Sequence, residues 1–222
     1  MTTCTVRYAL LACASSLLLL AGCAGNLLRS DAPAAETFRL AVTAAPAAGD
    51  VATATARPPL ALAVARPRAA SSLDTDRIAV LAAGNRFDYY ASARWAEAAP
   101  LMLQANLVGA LAATGQFSAV DAAPARAPSE LLLDIELRRF EAVSTGADAS
   151  RGPAPVVHVQ AQASLVDSRR GVRIASFVSE ATVPATDNRL GAVVAAFERA
   201  NAQVVQDIAA RVQAAVAALP AQ

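Results

Sequence analysis

The second half of this chain constrains the fold most, because three alternating segments precede one long helical pattern. Residues 130–143 alternate apolar and polar side chains, which is typical of a strand with one face in water. Residues 156–183 alternate in the same way on both sides of a central turn, which predicts a long antiparallel hairpin. Residues 188–219 repeat apolar side chains at helical spacing, and Asp187 or Asn188 can cap the helix.

The preceding part of the chain predicts shorter elements. Leu103, Leu107 and Leu111 repeat every four residues, and Gly115 stands where such a helix would end. Short alternating or apolar runs predict strands at 37–42, 60–67, 76–84, 86–95 and 117–120, with Gly84-Asn85 as a hairpin turn. We therefore expect an α/β fold, with a mixed, largely antiparallel sheet packed against two main helices.

The N-terminus carries the pattern of an export signal. Arg7 precedes an apolar run from residue 8 to 20 that is too short to span a bilayer comfortably, and small residues follow it. The sequence Leu-Ala-Gly-Cys at 20–23 looks like a bacterial lipobox, in which the cysteine receives acyl chains such as palmitate. We expect residues 1–22 to be a lipoprotein signal peptide and Cys23 to be the lipidated residue; the alternative is a plain cleaved signal with a coincidental cysteine.

The mature chain then divides into a leash and one domain. Residues 23–36 are small and polar and suit a tether between the membrane and the domain. The domain is expected at 37–222, with a low-complexity, flexible loop of Ala, Thr, Pro and Gly at 43–59. Ala24 stands where a retention signal for the inner membrane is usually aspartate, which favours the periplasmic face of the outer membrane in a Gram-negative envelope.

Charge and cysteine content exclude several classes of partner. The chain has 19 Lys plus Arg and 18 Asp plus Glu, and loss of Arg7 with the signal leaves 18 of each. A nucleic-acid surface would need a basic excess, so none is expected. Cys4 and Cys13 leave with the signal and Cys23 carries the lipid, so the mature chain has no thiol for a disulfide or a metal site.

Nothing in the sequence predicts catalysis, a cofactor or a metal. His158 is the single histidine, and no G-x-S-x-G elbow or phosphate-binding glycine loop accompanies it. Asp134 and Glu136 share one strand face and could in principle serve a glycosidase, but that role needs a pocket that separates their pKa values. A solvated or subunit-contacting face is the favoured interpretation of these residues, and no enzyme is expected.

The stretch GNRFDYYASARWAE, residues 84–97, concentrates bulky side chains in an alanine-rich chain. Phe87, Tyr89 and Trp95 could form a wedge that joins a hairpin to the next helix, and Trp95 is the one most expected to be buried. Tyr, Trp and Arg also dominate binding hot spots, so the segment could serve as an interface. The partner-interface candidates are Arg86, Tyr89, Tyr90, Arg94 and Trp95.

The central part of the chain resembles the ABC-type transport auxiliary lipoprotein family, whose members accompany MCE-domain proteins and include the paraquat-inducible type. The residues that carry this resemblance are Phe38, Leu40, Leu62, Asp76, Arg77-Ile78, Asn85-Arg86-Phe87, Tyr89-Tyr90, Arg94-Trp95-Ala96-Glu97, Gly115, Phe117 and Val120. The family's Pro-Leu directly after Trp-Ala-Glu is displaced here by Ala98-Ala99.

The resemblance implies a non-catalytic lipoprotein subunit of an envelope lipid-transport system, docking an MCE-domain protein and its ABC transporter at the outer membrane. It also implies a fold similar to the N-terminal domain of the Tol-system β-propeller protein. A structural lipoprotein of envelope assembly that binds peptidoglycan or an outer-membrane protein is the alternative, and a lipid carrier is a third hypothesis. The sequence leaves open the transported lipid, the docking face and whether the chain forms a homo-oligomer.

Overall fold

The computed structural model describes residues 35–40, 59–124, 128–144, 146 and 152–220. The predicted signal peptide and the lipidation site at Cys23 lie outside the described residues. So do tether residues 23–34 and loop residues 43–58. The rest of the predicted domain can be compared with the structure element by element.

Within the described residues the chain forms nine strands and two α-helices. The first half contains β1 (Glu36–Phe38), β2 (Ala61–Val64), β3 (Arg68–Ala69), β4 (Arg77–Ala82), β5 (Arg86–Trp95), α1 (Ala99–Ala113) and β6 (Ala119–Ala122). The second half contains β7 (Leu131–Val143), β8 (Val156–Asp167), β9 (Val172–Pro184) and α2 (Leu190–Ala217). The α/β fold with a mixed sheet and two helices is thereby confirmed.

Strand β7 is the centre of the sheet. Along one edge it pairs in parallel with β2, then β3, then β4. Along the other edge it pairs antiparallel with β8, which pairs antiparallel with β9. The first edge is extended on one side by β6, parallel to β2, and on the other by β5 and β1. The predicted long hairpin is the β8–β9 pair.

One face of the β7–β9 sheet is buried and the other faces water. In the first part of β7 every second side chain is buried. A bulge beside Arg138 then shifts this alternation, so that Phe140 and Ala142 face inward. Helix α2 packs on β8 and β9, and α1 packs on α2. The opposite face carries the polar half of each strand. It is the wet face that the alternation predicts, and we call it the open face.

The structure corrects three local predictions. The N-cap of α2 is Arg189, without a side-chain cap; Asp187 instead accepts a hydrogen bond from the Arg189 N–H (2.7 Å), and Asn188 donates to the Gly152 carbonyl. Strand β6 is displaced by two residues from the prediction. Strand β3 was not predicted, because two residues are too short to carry a periodic pattern.

Candidate functional site

The candidate site is built on the β4–β5 hairpin, which contains the aromatic segment of the sequence. Its turn uses two residues with positive φ, Gly84 at 75° and Asn85 at 58°. Such a turn matches the right-handed twist of the two strands and favours glycine and asparagine. The hairpin predicted from Gly-Asn is confirmed, and the turn places Arg86 and Phe87 at the exposed start of β5.

The outward side of the hairpin carries a small group of stacked side chains, which we call the aromatic patch: Arg77, Phe87 and Tyr89. The rings of Phe87 and Tyr89 meet edge to face, with centroids 5.5 Å apart. The Arg77 guanidinium carbon lies 3.8 Å from the centre of the Tyr89 ring. Tyr89 donates its hydroxyl proton to the Ser72 carbonyl at 3.0 Å, which fixes the ring orientation. Phe87 remains 38% exposed, so the patch is rigid but open to solvent.

The other end of β5 enters the core. Trp95 is 1% exposed and packs edge-on against Phe197 of α2 (5.2 Å between centroids) and Phe140 of β7 (5.9 Å). Its indole Nε1 is buried and has no hydrogen-bond partner among the described residues. The assignment of Trp95 as a partner-interface residue is wrong for this conformation, because no partner can reach the ring. The structural wedge that the sequence also predicted is its role.

Tyr90 and Arg94 lie between these two ends, beside a shallow cavity of about 260 Å³. The other residues that line the cavity are Ala35, Asp76, Arg77, Ala91 and Ala93. Arg94 faces Asp76 at 3.9 Å, and both side chains are about half exposed. Burial raises the pKa of Tyr90 above its ordinary value of 10.0, and its hydroxyl meets no hydrogen-bond partner in the part of the chain that the structure describes.

The five predicted candidates are therefore distributed over four places rather than one. Tyr89 belongs to the aromatic patch, Tyr90 and Arg94 border the cavity, and Trp95 is in the core, while Arg86 stands exposed at the hairpin turn. Sequence reasoning missed Arg77, which contributes to both the patch and the cavity. The hairpin register could have indicated it only in part, because a break in the ladder between Arg77 and Ala79 brings Arg77 opposite Arg94.

Three carboxylates that β7 contributes to the open face are paired with arginine. Asp134 accepts a hydrogen bond from Arg68 at 3.0 Å, and Glu136 accepts one from Arg138 at 3.3 Å. Glu141 is 6% exposed, and its two oxygens accept from Arg139 Nε (2.7 Å) and the Phe140 N–H (2.9 Å). Each charge is compensated nearby, so this face presents ion pairs rather than the two separated acids of a glycosidase.

His158 lies on the open face of β8, where its Nδ1 is 3.3 Å from the Thr182 hydroxyl. Burial and the neighbouring Arg139 lower its pKa, whereas Glu141 and Glu180 act in the opposite direction. No group of three or more potential metal ligands occurs in the described part of the chain. Among the helices described, neither has both the length and the apolar character that crossing a bilayer requires.

Comparison with known proteins places this geometry in a family. The family model for the ABC-type transport auxiliary lipoprotein component matches residues 39–209, which include the aromatic patch and every cavity-lining residue except Ala35. A solved protein from Xanthomonas campestris, assigned to the family model DUF330, is 27% identical with a TM-score of 0.70; the match covers 82% of this chain and 97% of that one. A comparison with the curated proteins finds no match.

Two further solved structures are more distant. One, described as an uncharacterized protein, is 14% identical with a TM-score of 0.56 and covers 81% of this chain and 99% of that one. It shows a shared fold alone. The PelC dodecamer from Paraburkholderia phytofirmans is 18% identical and covers 69% of this chain and 92% of that one, but its TM-score is only 0.36. The dodecamer therefore remains a property of that protein.

Proposed function

Because this chain belongs to the ABC-type transport auxiliary lipoprotein family, we propose that it is a non-catalytic subunit of an MCE-type lipid-transport system in the bacterial envelope. In this role it is held by lipid on Cys23 at the periplasmic face of the outer membrane. There it docks the MCE-domain protein that reaches across the periplasm from its ABC transporter. A relation of its fold to the N-terminal domain of the Tol-system β-propeller protein is part of the same proposal.

One observation carries the docking role, namely the orientation of Phe87. A ring of this size in an alanine-rich chain would add core area if it faced inward, yet it is 38% exposed beside Tyr89 and Arg77. Aromatic and arginine side chains held rigid at a surface lose little conformational entropy on binding, which is why they dominate hot spots. The aromatic patch thus has the composition and the preorganisation of a docking surface.

The lipid attachment sets where that surface can work. The twelve residue steps from Cys23 to Ala35 reach at most about 40 Å. Ala35, at the start of the described domain, lines the cavity beside Tyr90 and Arg94. Several acyl chains on one cysteine give stable attachment, because each buried methylene contributes about 0.8 kcal/mol. In this proposal the aromatic patch, toward the other end of β5, is the surface that meets a partner arriving at the membrane.

The chemistry of the described residues also supports a binding role. The β7 carboxylates of the open face are neutralised by arginine, and the family and the similar structures indicate no catalytic class. The cavity at Tyr90 and Arg94 has the exposed ion pair between Arg94 and Asp76 on its rim. Asp76 is the one carboxylic acid among the described lining residues, and it faces an arginine rather than a general base.

Affinity purification tests the proposal. The full-length chain, with its own signal, is purified from detergent-solubilised membranes of its host, and the co-purified proteins are identified by mass spectrometry. We expect the wild type to bring an MCE-domain protein, and the variant with Phe87→Ala and Arg77→Ala to lose at least nine-tenths of it. A matched control, Arg169→Ala with Arg170→Ala, removes two exposed arginines at the distant β8–β9 turn and should retain the partner.

Three results would count against this proposal. Equal recovery by the patch variant and the control would move the docking surface away from β5. Recovery of peptidoglycan or an outer-membrane barrel in place of the MCE-domain protein would support the structural-lipoprotein alternative. Mass spectrometry that shows Cys23 without acyl chains would contradict the mode of attachment.

A further inference from the structure

Strand β9 forms an outer edge of the sheet. It pairs with β8 on one side, and none of the described strands pairs with its other side. Its 13 residues make it one of the two longest strands, and it has a proline only at its last position, Pro184. Exposed edges of this length present unpaired backbone donors and acceptors, and proteins usually protect them with proline, lysine or a covering segment. The chain contains no lysine.

The exposed apolar side chains of the domain concentrate on the same strand. Among the described residues, the large hydrophobic side chains that are classed as exposed are Phe87, Val172 and Val178, and the last two belong to β9. Val172 is 57% exposed and Val178 is 39% exposed. An unprotected edge that also exposes valine is expected to be covered in the functional assembly.

The two charged residues of β9 point to the same face of the sheet. Glu180 is paired with Gln160 in the ladder, and Val178 is paired with Gln162. Gln160 and Gln162 belong to the open face, so Glu180 and Val178 lie on that face too. A bulge at Ile174 then changes the alternation, so that Arg173 pairs with Val166 and also faces the open side. In the described part of the molecule neither Arg173 nor Glu180 takes part in an ion pair.

We propose that a second copy of this chain covers the edge, with the two β9 strands antiparallel about a two-fold axis at Phe177. In this register Val178 lies opposite Ser176 of the second copy, and Glu180 lies opposite the Arg173 bulge. Because the interface is symmetric, the same contacts form twice. The result is a continuous sheet across the two copies.

Charge complementarity selects this register over its neighbours. Directly opposite residues on one face of an antiparallel pair have Cβ atoms about 4.5–5.5 Å apart, within reach of an ion pair. Moving the axis by one residue places Glu180 opposite Ser176 or Gly171, because Ile174 is the extra residue of the bulge, and Arg173 then loses its acid. A slip by an odd number of pairs puts open-face side chains opposite buried-face ones.

The helices are compatible with this arrangement. Helix α2 packs over both β8 and β9, so its axis lies inside the edge. At the level of Phe177, Arg211 lies 5.4 Å from the ring and is paired with Asp207 at 2.9 Å, which compensates its charge near the axis.

A charge-swap series tests the proposal. The full-length lipidated chain in detergent is examined by sedimentation equilibrium over a range of concentrations. We expect a dimer for the wild type and at least a tenfold weaker association for Arg173→Glu or Glu180→Arg, since each places like charges together twice. The double variant with both changes should regain at least half of the lost association on a logarithmic scale. Arg66→Glu, which breaks the distant Arg66–Asp74 pair, is the matched control and should leave the dimer unchanged.

Crosslinking tests the register independently. In the periplasm, a chain with Ser176→Cys and Val178→Cys should form a disulfide-linked dimer, whereas one with Ser176→Cys and Thr182→Cys should not. The proposal is overturned by a wild type that stays monomeric, by a double variant no better than the single ones, or by a larger assembly that all variants preserve. Circular dichroism melts establish that the variants fold. The aromatic patch is untouched, so partner recovery and dimer mass report on the two proposals separately.

Discussion

The two ends of strand β5 carry the same kinds of side chain and use them in opposite ways. At one end, Phe87 and Tyr89 stack on each other at the surface, with Arg77 against the Tyr89 ring. At the other end, Trp95 is enclosed by Phe140 and Phe197. Both groups use edge-to-face contacts at 5 to 6 Å, so ring geometry does not distinguish them. What differs is whether a helix covers the strand.

A break in the ladder produces this difference within one strand. Ala79 of β4 pairs with Tyr89 of β5, and Arg77 of β4 pairs with Arg94 of β5. Between these two pairs β5 advances by five residues and β4 by only two, so β5 contains three extra residues. The irregular stretch places Ala93 and Trp95 toward the core, and the backbone N–H of Trp95 donates to the Asp76 carbonyl. Irregularities of this kind re-aim side chains. A sequence cluster is therefore not one functional unit merely because its members are adjacent.

The largest expected effect comes from emptying the buried end. Trp95→Ala should lower the free energy of unfolding by about 3–5 kcal/mol, because the ring leaves a cavity between Phe140 and Phe197. Urea unfolding monitored by circular dichroism measures the change, with Trp95→Phe as the milder comparison. A loss below about 1 kcal/mol would mean that the two ends of β5 are energetically alike, and the comparison would fail.

The turn that presents the exposed end should be the next most sensitive. Gly84→Ala places a side chain at φ 75° and should cost about 1–2 kcal/mol, although the Cβ meets no neighbour within 4 Å. Gly191 is the matched control: it lies in α2, has no positive φ and also has open space, so Gly191→Ala should be neutral or stabilising. Equal effects at both glycines in thermal melts would show that the turn does not depend on its backbone conformation.

Tyr90 should mark the boundary between the two ends. Within residues 35–220 as far as they are described, its hydroxyl is buried without a hydrogen-bond partner, so Tyr90→Phe should raise the free energy of unfolding by up to about 1 kcal/mol at neutral pH. Burial raises the pKa of Tyr90 above 10.0, so the unfolded chain releases this proton at lower pH than the folded one. Stability is then lost as the pH rises from 10.0 through the folded pKa. Between pH 9 and 11 the free energy of unfolding should fall less in Tyr90→Phe than in the wild type. An equal dependence on pH in the two proteins would contradict this prediction.

The smallest effect on stability is expected at the exposed end. Phe87→Ala removes a ring that already contacts solvent and should change the free energy of unfolding by no more than about 0.5 kcal/mol. The same change should nevertheless reduce recovery of the transport partner in the purification described above. If Phe87→Ala destabilises the domain as much as Trp95→Ala, the aromatic patch is part of the core and its proposed docking role is lost.

The regular elements could be predicted because their patterns are long. The alternation of residues 130–143 and 156–183 and the helical stripe that follows correspond to β7, β8, β9 and α2. Gly84-Asn85 indicated its turn because few residues tolerate positive φ. The sequence-based predictions failed where only a few residues carry the pattern. Strand β3 has two residues, and the N-cap of α2 depends on which of three adjacent residues is the last one outside the helix.

The candidate site could be predicted only as a segment. The composition of residues 84–97 drew attention to the right strand, but it could not assign Tyr89 to the surface and Trp95 to the core. In the sequence Arg77 contributes to the family resemblance but carries no signal as a site residue, because its place beside Tyr89 depends on the ladder break. Contacts between strands of irregular register are not encoded in spacing along one strand.

By itself, the sequence determined the alternating faces of the sheet, the long terminal helix and the family, because each depends on local periodicity or on a linear motif. The tertiary structure decided which rings of β5 are buried, which charges are compensated, and that β9 is an edge with Arg173 and Glu180 on one face. Those properties depend on which strands and helices lie next to each other. Burial and pairing are set by neighbours distant in the chain, and only the folded molecule brings them together.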